Sequence, residues 1–377
     1  MKRYFIWIII LLLGLVAFKN DSSIEISNRT LVHAVGIDED DSGCTVTLQI
    51  FKTDGSGTDT VIDPSQTNTR VISNTAPTFN EAMSLCENQL GNYIFIGHNQ
   101  VIVIGHDTDL SKPDELLSYF IRNKDNFLGV KVVLSETTAQ DVLNVQIPTG
   151  TITMENFTEI IDMYSEKGSA APSTMVEFIN ESRKPDKAVM LPVVTVKPEQ
   201  DQSSQSQEDS SGSGKASLIS IDKNAVIKNG KIVKEIDGDM TRCINLINNH
   251  TNYGMVNVDY NGTDFGVNLI SQKYKSDIDI KDNRIFYNVD ISLLANTVNS
   301  SFSQTDKDNI SRLVEKKLER ECTDTFNRVF FTLDCDVFDL SRRIRFYYPE
   351  IYLKYKDNYD ALKAATVINV DVHCVTK

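Results

Sequence analysis

Closely spaced cysteine pairs are absent from this chain of 377 residues. Its six cysteines are scattered and form no Cys-x-x-Cys motif, which excludes a zinc ribbon and a dense disulfide framework. In an exported protein they can pair, but buried free thiols fit the spacing equally well. The sequence leaves both states open for Cys44, Cys86, Cys243, Cys322, Cys335 and Cys374.

The signatures of common enzyme classes are also missing. There is no Gly-x-Ser-x-Gly elbow, no Gly-x-Gly-x-x-Gly turn after a strand, no Gly-x-x-x-x-Gly-Lys loop and no His-Glu-x-x-His helix. Of five histidines, His98 and His106 bracket one apolar strand, where loop-capping residues are commoner than ligands or bases. We therefore expect no catalytic residue, no cofactor and no enzyme activity. The enzymatic alternative, an exported cell-wall hydrolase, would need paired carboxylates in a cleft.

One acidic turn matches part of a calcium-binding loop. Asp38, Asp40, Ser42 and Gly43 fit the first half of that pattern, but its twelfth position is Gln49, where a bidentate Glu is required. The flanking residues have the alternation of strands. The sequence therefore predicts an ordinary hairpin turn and no metal site.

Positive charge is scarce. The chain has 38 Lys and Arg against 52 Asp and Glu, a net charge of -14. This balance excludes a nucleic-acid-binding protein, which would carry a basic patch. It also argues against broad adhesion to anionic lipid, so attachment to a membrane is expected from the N-terminus or from a partner.

What the chain does contain is an uncharged apolar run in segment 1–20, directly behind Lys2 and Arg3. A positive end followed by a short apolar core is typical of an export signal, and the positive end stays in the cytoplasm. The run of 15 residues gives about 22 Å of helix, less than the roughly 30 Å hydrocarbon core. Small residues suited to cleavage are poorly placed, so we favour an uncleaved anchor over release. The first cysteine is Cys44, so no lipidation site is predicted, and the anchor residues are Tyr4, Phe5, Ile6, Trp7, Ile8, Leu12, Leu15 and Phe18.

The remaining chain divides by composition. Residues 22–197 show strand and helix patterns, including a strand, helix, strand unit. Residues 198–215 are nearly free of apolar side chains and predict a disordered linker. Residues 216–377 form a second mixed region, with a division into 216–258 and 259–377 as an alternative. The predicted fold class is α+β (mixed α/β), a multi-domain extracytoplasmic protein of mixed sheets with packed helices.

Four predicted elements bear on the topology. The apolar stretch 93–105 predicts one buried strand, and residues 154–184 predict one helix. A hairpin is predicted over 216–237 because Asn229 and Gly230 form the typical two-residue turn between strand patterns. Apolar residues at helical spacing predict the longest helix over 306–329.

Five stretches, taken in order, carry a likeness to a known family. They are Glu25–Asp38, Phe79–Gly105, Leu116–Leu143, Asn224–Asp237 and Leu318–Leu340. The second has a Gly-His before an apolar strand, the third a Phe-Ile-Arg helix end, and the fourth an Ala-Val hairpin. Together they resemble the Ger(x)C germination proteins, the C subunits of spore germinant receptors.

The resemblance implies a non-catalytic subunit on the extracytoplasmic face of the spore inner membrane. It would assemble with the membrane A and B subunits of a nutrient germinant receptor and be required for germination. The family's usual lipid-bearing cysteine is lacking here, and the Gly-rich turn expected near Asp336 reads Asp-Val-Phe-Asp-Leu-Ser. The alternative function is an extracytoplasmic small-molecule-binding protein that captures a germinant directly, which requires one large pocket with convergent polar groups.

Overall fold

The computed structural model describes most of the chain beyond its N-terminal segment. The predicted anchor, 1–20, lies outside the described residues, as does the predicted linker, 198–215, apart from its first residue. The described ranges are 29–51, 69–145, 153–183, 188–198, 217–251, 253–297, 302–356 and 358–377.

In the described part of the chain, the larger of two sheets has nine strands. They are β1 (Arg29–Asp40), β2 (Gly43–Phe51), β3 (Thr69–Ala76), β4 (Tyr93–Phe95), β5 (Val101–Ile104), β6 (Lys131–Ser135), β7 (Ala188–Pro198), β8 (Ser217–Lys228) and β9 (Lys231–Asp237). The order is β3-β2-β1-β5-β6-β7-β8-β9, and β4 pairs with β1 beside this path. The central pairs are parallel and both ends are antiparallel. Central strands such as β5 are buried on both faces, which explains their continuous apolar sequence.

Short helices cover this sheet, and their ends follow local signals. They are α1 (Phe79–Leu90), α2 (Pro113–Leu116), α3 (Ser118–Arg122), α4 (Ala139–Leu143), α5 (Thr153–Glu166) and α6 (Met175–Ser182). The Thr78 side chain caps α1 by accepting a hydrogen bond from the backbone N–H of Glu81. Gly91 ends the helix at φ 70°, in the left-handed region that favours glycine.

The predicted strand, helix, strand unit is confirmed, since β5 and β6 are parallel neighbours. The prediction of one strand over 93–105 is wrong, because β4 ends at Phe95 and β5 begins at Val101. A turn separates them, in which the Asn99 N–H donates to the carbonyl of Ile96 at 2.9 Å. The apolar pattern therefore continues through a turn of the backbone and does not mark a single strand.

The prediction of one helix over 154–184 is also wrong, because α5 and α6 are separate. Gly168 lies at φ 75°, a conformation that ends a helix. Behind it, the N–H groups of Ser169 and Ala170 both donate to the carbonyl of Tyr164, at 3.0 and 3.1 Å. The loop that follows α5 contacts the second half of the chain, as described below.

The hairpin of β8 and β9 confirms the sequence prediction. Asn229 and Gly230 have φ values of 52° and 73°, as a type I′ turn requires. Because β8 also pairs with β7, the hairpin extends the first sheet. The sheet therefore runs from the region predicted as 22–197 into the region predicted as 216–377, and the domain division itself stays a prediction.

The second sheet has four strands in the order β10-β11-β12-β13. They are β10 (Gly254–Tyr260), β11 (Thr263–Lys281), β12 (Arg284–Thr297) and β13 (Thr366–Thr376). The last pair is parallel, so the chain must cross over between them. The helices of this half are α7 (Gly238–Asn248), α8 (Gln304–Phe326), α9 (Leu340–Tyr347), α10 (Pro349–Tyr355) and α11 (Tyr359–Ala365).

The predicted long helix is confirmed as α8, which starts at a Ser303 capping box and continues as a π-helix over Asn327–Thr332. Its inward residues Ile310, Val314, Leu318 and Phe326 are fully buried against the second sheet. The same apolar core includes Met190 of β7 and Val226 of β8, so it reaches the first sheet. The predicted mixed α+β fold is thereby confirmed.

Candidate functional site

The two halves of the protein meet at a buried polar junction around α7. Asn224 of β8 is fully buried, and its Oδ1 accepts a hydrogen bond from the Ala171 N–H at 2.8 Å. Its Nδ2 donates to the Ser169 carbonyl and to Thr241 Oγ1 on α7, both at 2.9 Å. One side chain thus joins three elements, namely the first sheet, helix α7 and the loop that follows α5.

Asn245 on α7 makes a second connection to the same loop. Its Nδ2 donates to the carbonyls of Gly168 and Ala170, both at 2.9 Å, and the residue is 1% exposed. Because buried polar groups are costly when unpaired, these bonds select one arrangement of loop and helix. We call Asn224, Thr241 and Asn245 the junction seam.

A turn after the π-helix positions α9 beside this seam. Asp336 is 1% exposed, and its carboxylate accepts hydrogen bonds from the N–H groups of Phe338, Leu340 and Ser341 at 3.1, 3.1 and 2.8 Å. These donors begin α9 and would otherwise lack partners. This turn departs from the family's Gly-rich pattern. Its Asp336 carboxylate accepts the hydrogen bonds at the start of α9.

The neighbouring Asp334 connects three parts of the chain. It lies at φ 57° and forms ion pairs with Lys228 of β8 and Lys363 of α11. Burial opposes ionisation of this carboxyl, but the two lysines outweigh that effect and lower its pKa below the ordinary value.

A cleft of about 220 Å³ lies at the junction. Ionisable side chains from α6, α9 and the loop after α7 line it, namely Glu177, Glu181, His250, Asp339, Arg342 and Arg343. Its volume is below the 300–1,000 Å³ typical of small-molecule sites. Asp339 and Arg342 form an ion pair with each other.

A wider depression of about 690 Å³ lies beside the β1–β2 turn. We call it the acidic depression, because Lys112 faces the carboxylates of Glu39, Asp40, Asp41, Asp107, Asp109 and Glu115. The partial calcium-loop pattern does not assemble here. Asp38 instead accepts hydrogen bonds from the N–H groups of Ala139 and Gln140, at 2.7 and 3.2 Å. Among the described residues, no group of three or more His, Cys, Asp or Glu is arranged to hold a metal ion.

The histidines singled out in the sequence do not converge. His98 lies in the turn between β4 and β5, and His106 follows β5, where it contacts Asp107. His33 on β1 is 4% exposed, and burial, with a smaller effect of His98, lowers its pKa to about 4. A buried neutral imidazole of this kind is a core residue.

All six cysteines are buried free thiols, which decides the question that spacing left open. The thiols of Cys243 on α7 and Cys322 on α8 are hydrogen-bonded, and this bond, with burial, raises the pKa of Cys322 well above its ordinary value. Burial raises the pKa of Cys44 to about 12. Thiols of this kind are poor nucleophiles, because the thiolate is the reactive form.

The anchor residues Tyr4, Phe5, Ile6, Trp7, Ile8, Leu12, Leu15 and Phe18 lie outside the part of the chain that the structure describes. Within that part, no helix combines the length and apolar character needed to cross a bilayer.

Sequence reasoning missed the outward face of α9 and α10. The stretch 340–356 reads LSRRIRFYYPEIYLKYK, in which aromatic and basic residues are interspersed. This composition was the available signal, but the sequence does not tell which of these side chains are buried. The structure leaves Phe346, Tyr347 and Leu353 exposed.

Comparisons with known proteins give one consistent result. A family model described as the spore germination protein N-terminal domain matches residues 22–196. A second, described as spore germination B3/GerAC like, C-terminal, matches residues 222–376. A crystal structure of the GerBC protein is similar, with a TM-score of 0.57, 16% identity, and coverage of 91% of this chain and 96% of that chain. At this identity the likeness shows the fold. No curated protein sequence matches the chain.

Proposed function

This chain belongs to the Ger(x)C family of spore germination proteins, and from that membership we propose that it acts as the C subunit of a nutrient germinant receptor. In this role it assembles with the membrane A and B subunits and takes no part in catalysis. Membership in the family implies association with the spore membrane. We place the region after the N-terminal segment on the extracytoplasmic face of the inner membrane.

The observation that carries the proposal is the order of the two family matches along most of the chain, 22–196 and then 222–376. The junction seam supports it physically. Buried amides that donate to backbone carbonyls across the junction give a protein a defined shape rather than a reacting centre. A subunit that transmits a signal by contact needs such a shape.

Direct capture of a germinant is the other function to test. The cleft at the junction, about 220 Å³, is small for that purpose. The acidic depression, about 690 Å³, has a sufficient volume, but its carboxylates would suit only a cationic ligand. Equilibrium dialysis of the purified full chain against labelled germinants measures capture directly. We expect no saturable binding, and saturable binding by the chain alone would favour the ligand-binding protein over the receptor subunit.

Assembly is tested in spores that carry a tagged copy of the chain in place of the original. We expect polytopic receptor subunits to co-purify from detergent extracts of the spore membrane. We also expect deletion of the chain to abolish germination in at least one nutrient, with full recovery on complementation. Normal germination in every nutrient, together with purification of the chain alone, would overturn the proposal.

We also propose that the apolar run Tyr4–Phe18 stays on the protein as its membrane anchor. A helix of 15 residues would be about 22 Å long, so part of the bilayer thickness would have to be met by local thinning. Mass spectrometry of the intact protein from spore membranes measures the N-terminus. A chain that starts near Phe18 would show cleavage and refute the anchor.

A further inference from the structure

Three large apolar side chains project from the adjoining helices α9 and α10. Phe346, Tyr347 and Leu353 are 72, 77 and 62% exposed. Phe346 and Tyr347 line a depression of about 880 Å³ together with Asp277 of β11. Single exposed apolar residues are ordinary on protein surfaces, but a grouped set marks a surface of interaction.

The charge around these side chains is opposite to that of the whole chain. Within 340–356 the exposed cationic residues are Arg342, Arg345, Lys354 and Lys356, and the exposed carboxylate is Glu350. The chain as a whole has a net charge of -14. We call these five residues, with Phe346, Tyr347 and Leu353, the α9–α10 face.

Packing beneath this face holds its orientation. Leu340 and Ile344 are fully buried, and the Tyr348 hydroxyl donates to the carbonyl of Ile278 at 2.6 Å. The guanidinium of Arg345 lies 5.5 Å from the ring centre of Tyr352, which joins α9 to α10. The exposed side chains therefore project from a fixed base.

We propose that the α9–α10 face rests on an anionic phospholipid surface, with its cations at the lipid phosphates and its aromatic rings at headgroup depth. This inference rests on the membrane placement proposed above. Charge complementarity favours this occupant. Arg342 is paired with Asp339, but Arg345, Lys354 and Lys356 outnumber the single carboxylate of Glu350, while the acidic remainder of the chain is repelled by an anionic surface. Aromatic and leucine side chains beside Arg and Lys are also the composition of interfacial helices. The face thus sets how the protein lies on the bilayer.

The test uses the full chain reconstituted in vesicles, labelled at one introduced cysteine. Selective labelling is feasible because the six native cysteines are buried. A fluorophore is attached through Leu353→Cys, or through Phe346→Cys as a second site, and quenched by nitroxide lipids. Glu115→Cys in the acidic depression is the matched control, since its side chain is 73% exposed. Vesicles contain phosphatidylcholine alone or with phosphatidylglycerol.

We expect quenching at positions 353 and 346 in the anionic vesicles, little in the neutral ones, and none at position 115 in either. Replacing Arg345→Gln and Lys354→Gln should weaken docking about fivefold for each cation removed. Equal quenching in both vesicle types, or none at positions 353 and 346, would overturn the proposal. The proposal would also be overturned if the fluorophores at positions 353 and 346 were shielded from aqueous iodide only after receptor subunits are added, because the face would then bind protein. The quenching measurements use vesicles without receptor subunits, so their result is independent of the assembly experiment.

Discussion

Replacing Asn224→Ala tests whether the junction seam holds the two halves of the protein together. The change removes three hydrogen bonds, from the Ala171 N–H and to the Ser169 carbonyl and Thr241 Oγ1. The Thr241 hydroxyl keeps a partner, because it also donates to the carbonyl of Asp237 at 2.8 Å. The buried Ala171 N–H and the half-buried Ser169 carbonyl thus lose this partner, at about 1 to 3 kcal/mol each, or up to about 4 kcal/mol in total.

This loss should lower the melting temperature by about 8 °C, at about 2 °C per kcal/mol for a chain of this size. Differential scanning calorimetry of the full chain in detergent measures the shift. Asn268→Ala is the matched control, an exposed asparagine on β11, and should change the unfolding free energy by less than about 0.5 kcal/mol. Equal shifts in melting temperature for Asn224→Ala and Asn268→Ala would refute the stabilising role of the junction seam.

Four further predictions follow from the same structure. Asp336→Ala should lower the free energy of unfolding by about 3 kcal/mol, measured by urea titration, because three N–H groups at the start of α9 lose their acceptor; an unchanged midpoint would contradict this. The pKa of the Asp334 carboxyl is lowered in the folded state. Its contribution to stability is therefore present above about pH 4 and is lost as the pH falls below that value. The difference in melting temperature between wild type and Asp334→Asn should shrink from pH 7 to pH 3. His33 has a folded pKa of about 4 against an ordinary 6.5, so only the unfolded state gains a proton between these values. Protonation of His33 in the unfolded state should therefore account for about 3 kcal/mol of the stability that wild type loses from pH 7 to pH 4, and His33→Gln should lose less by about that amount. All six buried thiols should resist alkylation in the native protein and react after denaturation, as counted by mass spectrometry; rapid native labelling would refute their burial.

Local signals in the sequence predicted the elements that are governed by their own residues. The Asn229-Gly230 turn and the apolar spacing of α8 are each contained within one element. Two elements were predicted too long, over 93–105 and 154–184, because apolar composition continues through a turn at Asn99 and a left-handed Gly168. Apolar periodicity reports burial and does not report where the backbone reverses.

Of the candidate site residues, Asp38 accepts hydrogen bonds from the start of α4, Ser42 bonds to Asp40 within its own turn, and His98 and His106 lie at opposite ends of β5. The residues that matter at the junction carry no motif. Asn224 and Asn245 are ordinary amides whose importance comes from partners more than 50 positions away. No pattern of spacing reveals such pairs. Asp336 was interpreted as part of a turn, which the structure bears out, but its three N–H partners depend on the fold of that turn.

The sequence by itself determined the family, the mixed composition of helices and strands, the acidic charge and the absence of an enzyme motif, because each is encoded locally or as a sum over residues. Only the tertiary structure decided that the hairpin of β8 and β9 joins the first sheet, that the cysteines are unpaired, and that α9 and α10 present cations and aromatic rings together. These outcomes depend on which surfaces meet across long stretches of chain. Whether a side chain is buried depends on which surfaces pack together, and neither composition nor periodicity reveals that.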